Sequence, residues 1–92
     1  MVTDLSPYEL TPTHRLTMSR TAFRRFKERI ERDGRIIRPI SFVEHEGTKY
    51  IVDGHHRVRV AKELGFTTVP AERVELPYLG YDTPDDLFAG GH

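Results

Sequence analysis

The stretch KYIVDGHHRVRVAKELG, residues 49–65, changes its pattern within a few positions. Tyr50, Ile51 and Val52 are β-branched or aromatic and read as a strand, whereas Val58, Ala61 and Leu64 recur at helical spacing up to a stop at Gly65. Asp53-Gly54-His55-His56-Arg57 therefore occupies a strand-to-helix corner. The first backbone N–H groups of a helix have no internal partners and the macrodipole is positive there, so such a corner attracts anions. Gly54 allows close backbone approach, and His55, His56 and Arg57 add side-chain donors in the first turn, where cations are disfavoured unless an anion sits among them. Arg59 brings a second guanidinium. Asp53 can orient a histidine, hold a metal or act as a base, and it can equally just cap the helix. Adjacent histidines point about 100° apart on a helix, so one of the pair can be a core residue instead.

Outward from this corner the chain divides into short elements. Upstream, IIRPISFVEHEGTKYIVDG, residues 36–54, reads as a hairpin with its turn at Glu46-Gly47-Thr48. Before it, Ala22, Phe23, Phe26 and Ile30 mark one face of an amphipathic helix of about 14 residues, capped by Ser19 or Thr21 and stopped by Gly34. The two Phe rings lie on the stripe to be buried, which assigns them to the core. Downstream, a strand is expected at Val69–Leu76, and Thr83-Pro84-Asp85-Asp86 has the form of a helix start anchored by Leu87 and Phe88. The expected fold class is α+β, a small mixed sheet with packed helices, in one domain over 1–92 with its core at about 12–76 and a carboxy-terminal extension at 77–92. Gly90-Gly91-His92 is read as a frayed end without a role.

Composition narrows the classes. With 37% apolar and 30% charged residues the chain falls outside the disordered and fibrous classes. No apolar run approaches the roughly 20 residues of a membrane span, and the amino end lacks a signal-peptide layout, so no membrane partner is expected. There is no cysteine, hence no thiol nucleophile and no thiolate metal site; a metal would need His, Asp or Glu, and His14 and His45 lie far away in sequence. The 14 basic and 14 acidic residues cancel, but residues 13–38 carry +6 and residues 71–92 carry −4. Eleven of the basic residues are Arg, whose planar fork suits phosphate.

The run from Gly34 to Val74 resembles the ParB/sulfiredoxin superfamily. Its most specific piece is Gly54-His55-His56-Arg57-Val58-Arg59-Val60-Ala61. The nucleotide-binding ParB proteins have Gly, Glu, Arg, Arg, any residue, Arg, Ala, Ala in the corresponding segment, which wraps the triphosphate of CTP. Gly54, Arg57, Arg59 and Ala61 match, while His55 and His56 depart. Thr11-Pro12-Thr13-His14-Arg15 is placed like the family's first box. The resemblance implies phosphate or nucleotide ligands at Gly54, Arg57 and Arg59, with His14 and Arg15 lining the same pocket. Sulfiredoxin carries Gly-Cys-His-Arg at the corner and works through that cysteine, which this chain lacks, so sulfinic acid reduction is excluded. Partition proteins continue into DNA-reading and dimerisation domains for which 92 residues leave no room, so centromere binding by this chain is not expected.

Among ParB-like modules with DGHHR-type corners, the chain looks most like the carboxy-terminal toxin domains of bacterial polymorphic toxins. That resemblance implies a nuclease, with DNA as the favoured substrate and Asp53, His55, His56 and Arg57 as catalytic residues. A histidine would transfer the proton, Asp53 would fix its tautomer, and Arg57 and Arg59 would stabilise charge on phosphorus. The alternative is a CTP- or ATP-binding switch or a kinase-like phosphotransferase at the same corner. Mg²⁺ and a nucleoside triphosphate are the cofactors left open, and nucleic acid or a nucleotide is the expected partner. The toxin reading adds an acidic immunity protein, a cytoplasmic site of action and delivery within a larger secreted protein.

Overall fold

The computed structural model describes residues 1–15 and 17–88; the terminal Gly90-Gly91-His92 lies outside the described residues. In chain order the elements are β1 (Val2–Leu5), a 3-10 turn (Pro7–Glu9), β2 (Leu10–Thr11), α1 (Arg20–Asp33), β3 (Ile40–His45), β4 (Thr48–Asp53), α2 (His55–Leu64), β5 (Val69–Arg73) and α3 (Pro84–Phe88). The strands form one five-stranded sheet in the order β1-β5-β3-β4-β2. The pairs β1–β5 and β3–β4 are antiparallel and the pairs β3–β5 and β2–β4 are parallel, so the fold is α+β around a mixed sheet.

Local chemistry explains the best-defined elements. Helix α1 begins where the Ser19 hydroxyl accepts the Ala22 N–H at 3.2 Å and ends at Gly34, which satisfies the carbonyls of Ile30 and Glu31. The hairpin turns on two residues, Glu46 and Gly47, both at positive φ (51° and 82°), while Thr48 already belongs to β4. This geometry matches the right-handed twist of the flanking strands. Strand β5 is shorter than expected, ending at Arg73, although the Val74 N–H still reaches the Phe42 carbonyl at 2.8 Å. At α3, Asp86 turns its carboxylate back onto the N–H groups of Asp82 (2.7 Å) and Thr83 (3.1 Å).

Alternation along the strands gives the sheet two apolar faces. Ile40, Phe42 and Ile51 point to one side and join Ile30, Val58 and Ala61 of the helices. Val43 and Val52 point to the other, where Tyr81 and Leu87 of the carboxy-terminal segment cover them. Phe23 and Phe26 pack against the helix-side core as expected, half-buried, and their rings also approach His56, at centroid distances of 6.5 and 6.4 Å. Strands β1 and β2 form the two edges of the sheet, beyond the elements expected from the sequence.

Candidate functional site

The corner between β4 and α2 is set by Gly54, which takes the cap position of α2 at φ 104° with no side-chain cap bond. Asp53 is therefore not the helix cap. Nor does it fix a histidine: its Oδ2 lies 3.5 Å from Arg57 Nη2. Arg57 curls back onto the corner, donating from Nη1 to the carbonyls of Arg38 (2.7 Å) and Pro39 (2.8 Å), and only 12% of its side chain is exposed. The Arg57 guanidinium thus ties α2 to the segment entering β3. Most of its hydrogen-bonding capacity is spent inside the fold.

Both histidines are held by the segment between β2 and α1. The Thr13 N–H donates to His55 Nε2 at 3.1 Å, and the Met18 N–H donates to His56 Nε2 at 3.3 Å. A backbone N–H always carries its proton, so each Nε2 must present its lone pair and each ring carries its proton on Nδ1. His55 is 6% exposed, and burial, reinforced by charge on His14 and then on His56, lowers its pKa to about 4. Burial and His14 also lower that of His56. The expectation of proton transfer near pH 7 thus meets a His55 that is neutral and engaged as an acceptor. The reason is the segment's backbone, whose partners cannot be read locally.

Thr13 is the hub of this arrangement, and sequence reasoning assigned it no role. Its hydroxyl donates to the Ile51 carbonyl at 2.7 Å, so the Tyr81 hydroxyl, also 2.7 Å away, must be the donor to Thr13 Oγ1. His14 lies against His55 with ring centroids 3.8 Å apart, and its Nδ1 donates to the Arg15 carbonyl at 2.7 Å.

Two cavities share the His14–His55 wall. One, of about 310 Å³, is lined by Met18, Phe26, Asp53, Gly54, His56 and Arg57 in addition to those rings, so the two adjacent histidines do border a common space. The other, of about 370 Å³, has an apolar floor of Pro12, Ile51 and Val58 and a rim of Arg15, Arg59 and Lys62. Glu63 accepts from Arg59 Nε at 2.7 Å and from Lys27 Nζ at 3.0 Å, and these cations hold its carboxyl below the ordinary range. The contact orients Arg59 while leaving both Nη groups to a ligand. Lys62 is steadied over the Tyr8 ring at 5.2 Å. Gly54, Arg57, Arg59, His14 and Arg15 thus gather around one end of α2, with Arg57 facing inward and Arg59 and Arg15 facing the larger cavity. Among the described residues no three His, Asp or Glu side chains converge in a cluster able to hold a metal ion. His45 lies instead against Phe88, with ring centroids 5.7 Å apart.

The profile of the family described as ParB N-terminal domain matches residues 1–78. No curated protein sequence matches. Among solved structures, the C-terminally truncated chromosome-partitioning protein ParB from Caulobacter crescentus, complexed with CTP-gamma-S, is similar at TM-score 0.73 and 21% identity, covering 96% of this chain and 48% of that one. A free serine kinase in complex with AMP is similar at TM-score 0.71 and 21% identity, covering 86% and 33%. Sulfiredoxin from Arabidopsis thaliana is similar at TM-score 0.67 and 22% identity, covering 82% and 85%. The chain spans about half of that ParB chain and a third of the kinase chain.

Proposed function

The chain belongs to the ParB N-terminal domain family, and from that premise we propose that the cavity between Pro12–Arg15 and α2 binds the phosphate groups of a nucleotide. The observation that carries this reading is the rim: Arg15, Arg59 and Lys62 converge on one cavity of about 370 Å³ over an apolar floor. A few cations at the mouth of an apolar cleft fit a ligand with an anionic end and a flat, partly apolar end. Two of the similar structures hold a nucleotide, CTP-gamma-S in one and AMP in the other, which supports the same reading. Titration calorimetry with CTP, ATP and AMP, with and without Mg²⁺, tests it. Saturable binding that weakens in Arg59→Ala is expected, and a flat titration at millimolar nucleotide would remove the reading.

Phosphodiester cleavage by a toxin module draws less support from this geometry. The mechanism expected from the sequence uses a histidine that exchanges a proton near pH 7, whereas burial lowers the His55 pKa to about 4 and its Nε2 is occupied by the Thr13 N–H. Asp53 faces Arg57 rather than either imidazole. We therefore expect plasmid DNA and RNA incubated with the protein and Mg²⁺ to stay intact at levels where a control nuclease cuts them; cleavage that disappears in His56→Ala would restore the nuclease reading.

A further inference from the structure

Tyr81 lies beyond the family match, which ends at residue 78, yet its side chain reaches the wall of the candidate cleft. We propose that Tyr81 is a positioning residue for that cleft, acting through Thr13 on the ring of His55. The inference rests on the nucleotide reading of the site.

Tyr78 and Tyr81 exchange backbone hydrogen bonds at 2.8 and 2.9 Å, closing a small turn on the sheet face opposite α1 and α2. Tyr81 is buried there with Val43, Val52 and Leu87, which fixes the direction of its ring. From that face its hydroxyl meets Thr13 Oγ1 at 2.7 Å. Thr13 sends its own hydroxyl proton to the Ile51 carbonyl and its N–H to His55 Nε2. The Tyr81 proton therefore goes to a lone pair of Thr13 Oγ1, an atom that also lies 3.0 Å from His55 Nε2, and these contacts together fix Thr13 against the ring. Pro12, His14 and Arg15, the residues around Thr13, line the cleft, and His14 lies on the ring that Thr13 holds. A residue outside the family match thus sets the position of the wall that faces the ligand.

The test compares wild type, Tyr81→Phe, Thr13→Ser and Tyr78→Phe. Three quantities are measured: nucleotide affinity by calorimetry, hydrogen exchange at the Thr13 amide, and the titration of His55 by NMR in the ligand-free protein. Tyr81→Phe keeps the ring and removes only the donor. It should speed exchange at the Thr13 amide about tenfold, raise the His55 pKa from about 4 towards the ordinary value, and weaken nucleotide binding several-fold. Thr13→Ser keeps the hydroxyl and should behave as wild type. Tyr78→Phe deletes a hydroxyl from the same segment, one that meets Ser41 Oγ at 3.3 Å, and should leave Thr13 and His55 unchanged. Unchanged Thr13 exchange and His55 titration in Tyr81→Phe would overturn the proposal. So would weakened binding without those two changes, since the route would then bypass Thr13. A wild-type protein that ignores nucleotides would remove the reading of the cleft, while the amide and ring measurements would still decide whether Tyr81 positions His55.

Discussion

Gly54 stands at the tightest point of the corner, where an added Cβ would lie 2.8 Å from Ile40 Cδ1 and 3.0 Å from Arg57 Nη2 at a φ of 104°. Gly54→Ala combines backbone strain with a collision and should cost about 3 kcal/mol of stability, read as a lower urea midpoint. Arg57 is the other half of that corner. Its loss leaves the Arg38 and Pro39 carbonyls without their charged donor, so Arg57→Ala should destabilise by about 2 kcal/mol. Arg57→Lys should recover little, because one ammonium cannot reproduce the planar fork. Arg15→Ala should behave in the opposite way. Arg15 is exposed and forms no ion pair among the described residues, so its loss should leave the melting temperature in place and weaken nucleotide binding alone. A stability loss without an affinity change in Arg15→Ala would contradict that division of labour.

Between β2 and α1, the Thr13 and Met18 amides are held by the histidines at the start of α2, and this predicts a pH dependence. The unfolded chain binds a proton on His55 near its ordinary value of 6.5, whereas the folded protein resists it until about pH 4. Stability is therefore complete above pH 6.5 and falls as the pH drops towards 4, by on the order of 3 kcal/mol for His55, with His56 adding in the same direction. Urea midpoints at pH 7.5 and 4.5 measure the fall. His55→Gln, which offers an acceptor that does not titrate, should flatten the profile, and an equal slope in both proteins would contradict the latch. At this scale the sequence is legible where local chemistry decides. The Ser19 cap, the Gly34 stop, the Glu46-Gly47 turn and the 3.6-residue stripe of α1 all announce themselves. Strands β1 and β2 do not, because four and two residues at sheet edges carry too short a pattern to separate from loop. Thr13 was equally hidden: its partners Ile51, His55 and Tyr81 lie 38, 42 and 68 residues away, and no local periodicity encodes such contacts. The same distance in sequence hides the partners of Arg57, which meets the Arg38 and Pro39 carbonyls as well as Asp53 at the corner.

Over the whole molecule, the sheet is covered by α1 and α2 on one face and by the 78–88 segment with α3 on the other. Removing residues 79–92 should uncover Val43 and Val52 and withdraw Tyr81 and Leu87, each side chain worth about 2 kcal/mol of burial. The truncated protein should melt lower and associate through the bared face, as read by calorimetry and light scattering; a truncated chain with the melting temperature of the full one would deny that segment a place in the core. The charge asymmetry takes on meaning at the same scale. Of the cations in residues 13–38, Arg15 reaches the cleft, where Arg59 and Lys62 of α2 complete the rim. Binding there should weaken as salt rises. The most direct measurement is a calorimetric titration of CTP and ATP into wild type and into the Arg15→Ala/Arg59→Ala double variant at low and at physiological salt. Saturable, salt-sensitive binding to wild type is expected, falling at least tenfold in the double variant while its melting temperature holds. Binding of equal strength in both proteins, or none in wild type at millimolar nucleotide, would contradict it.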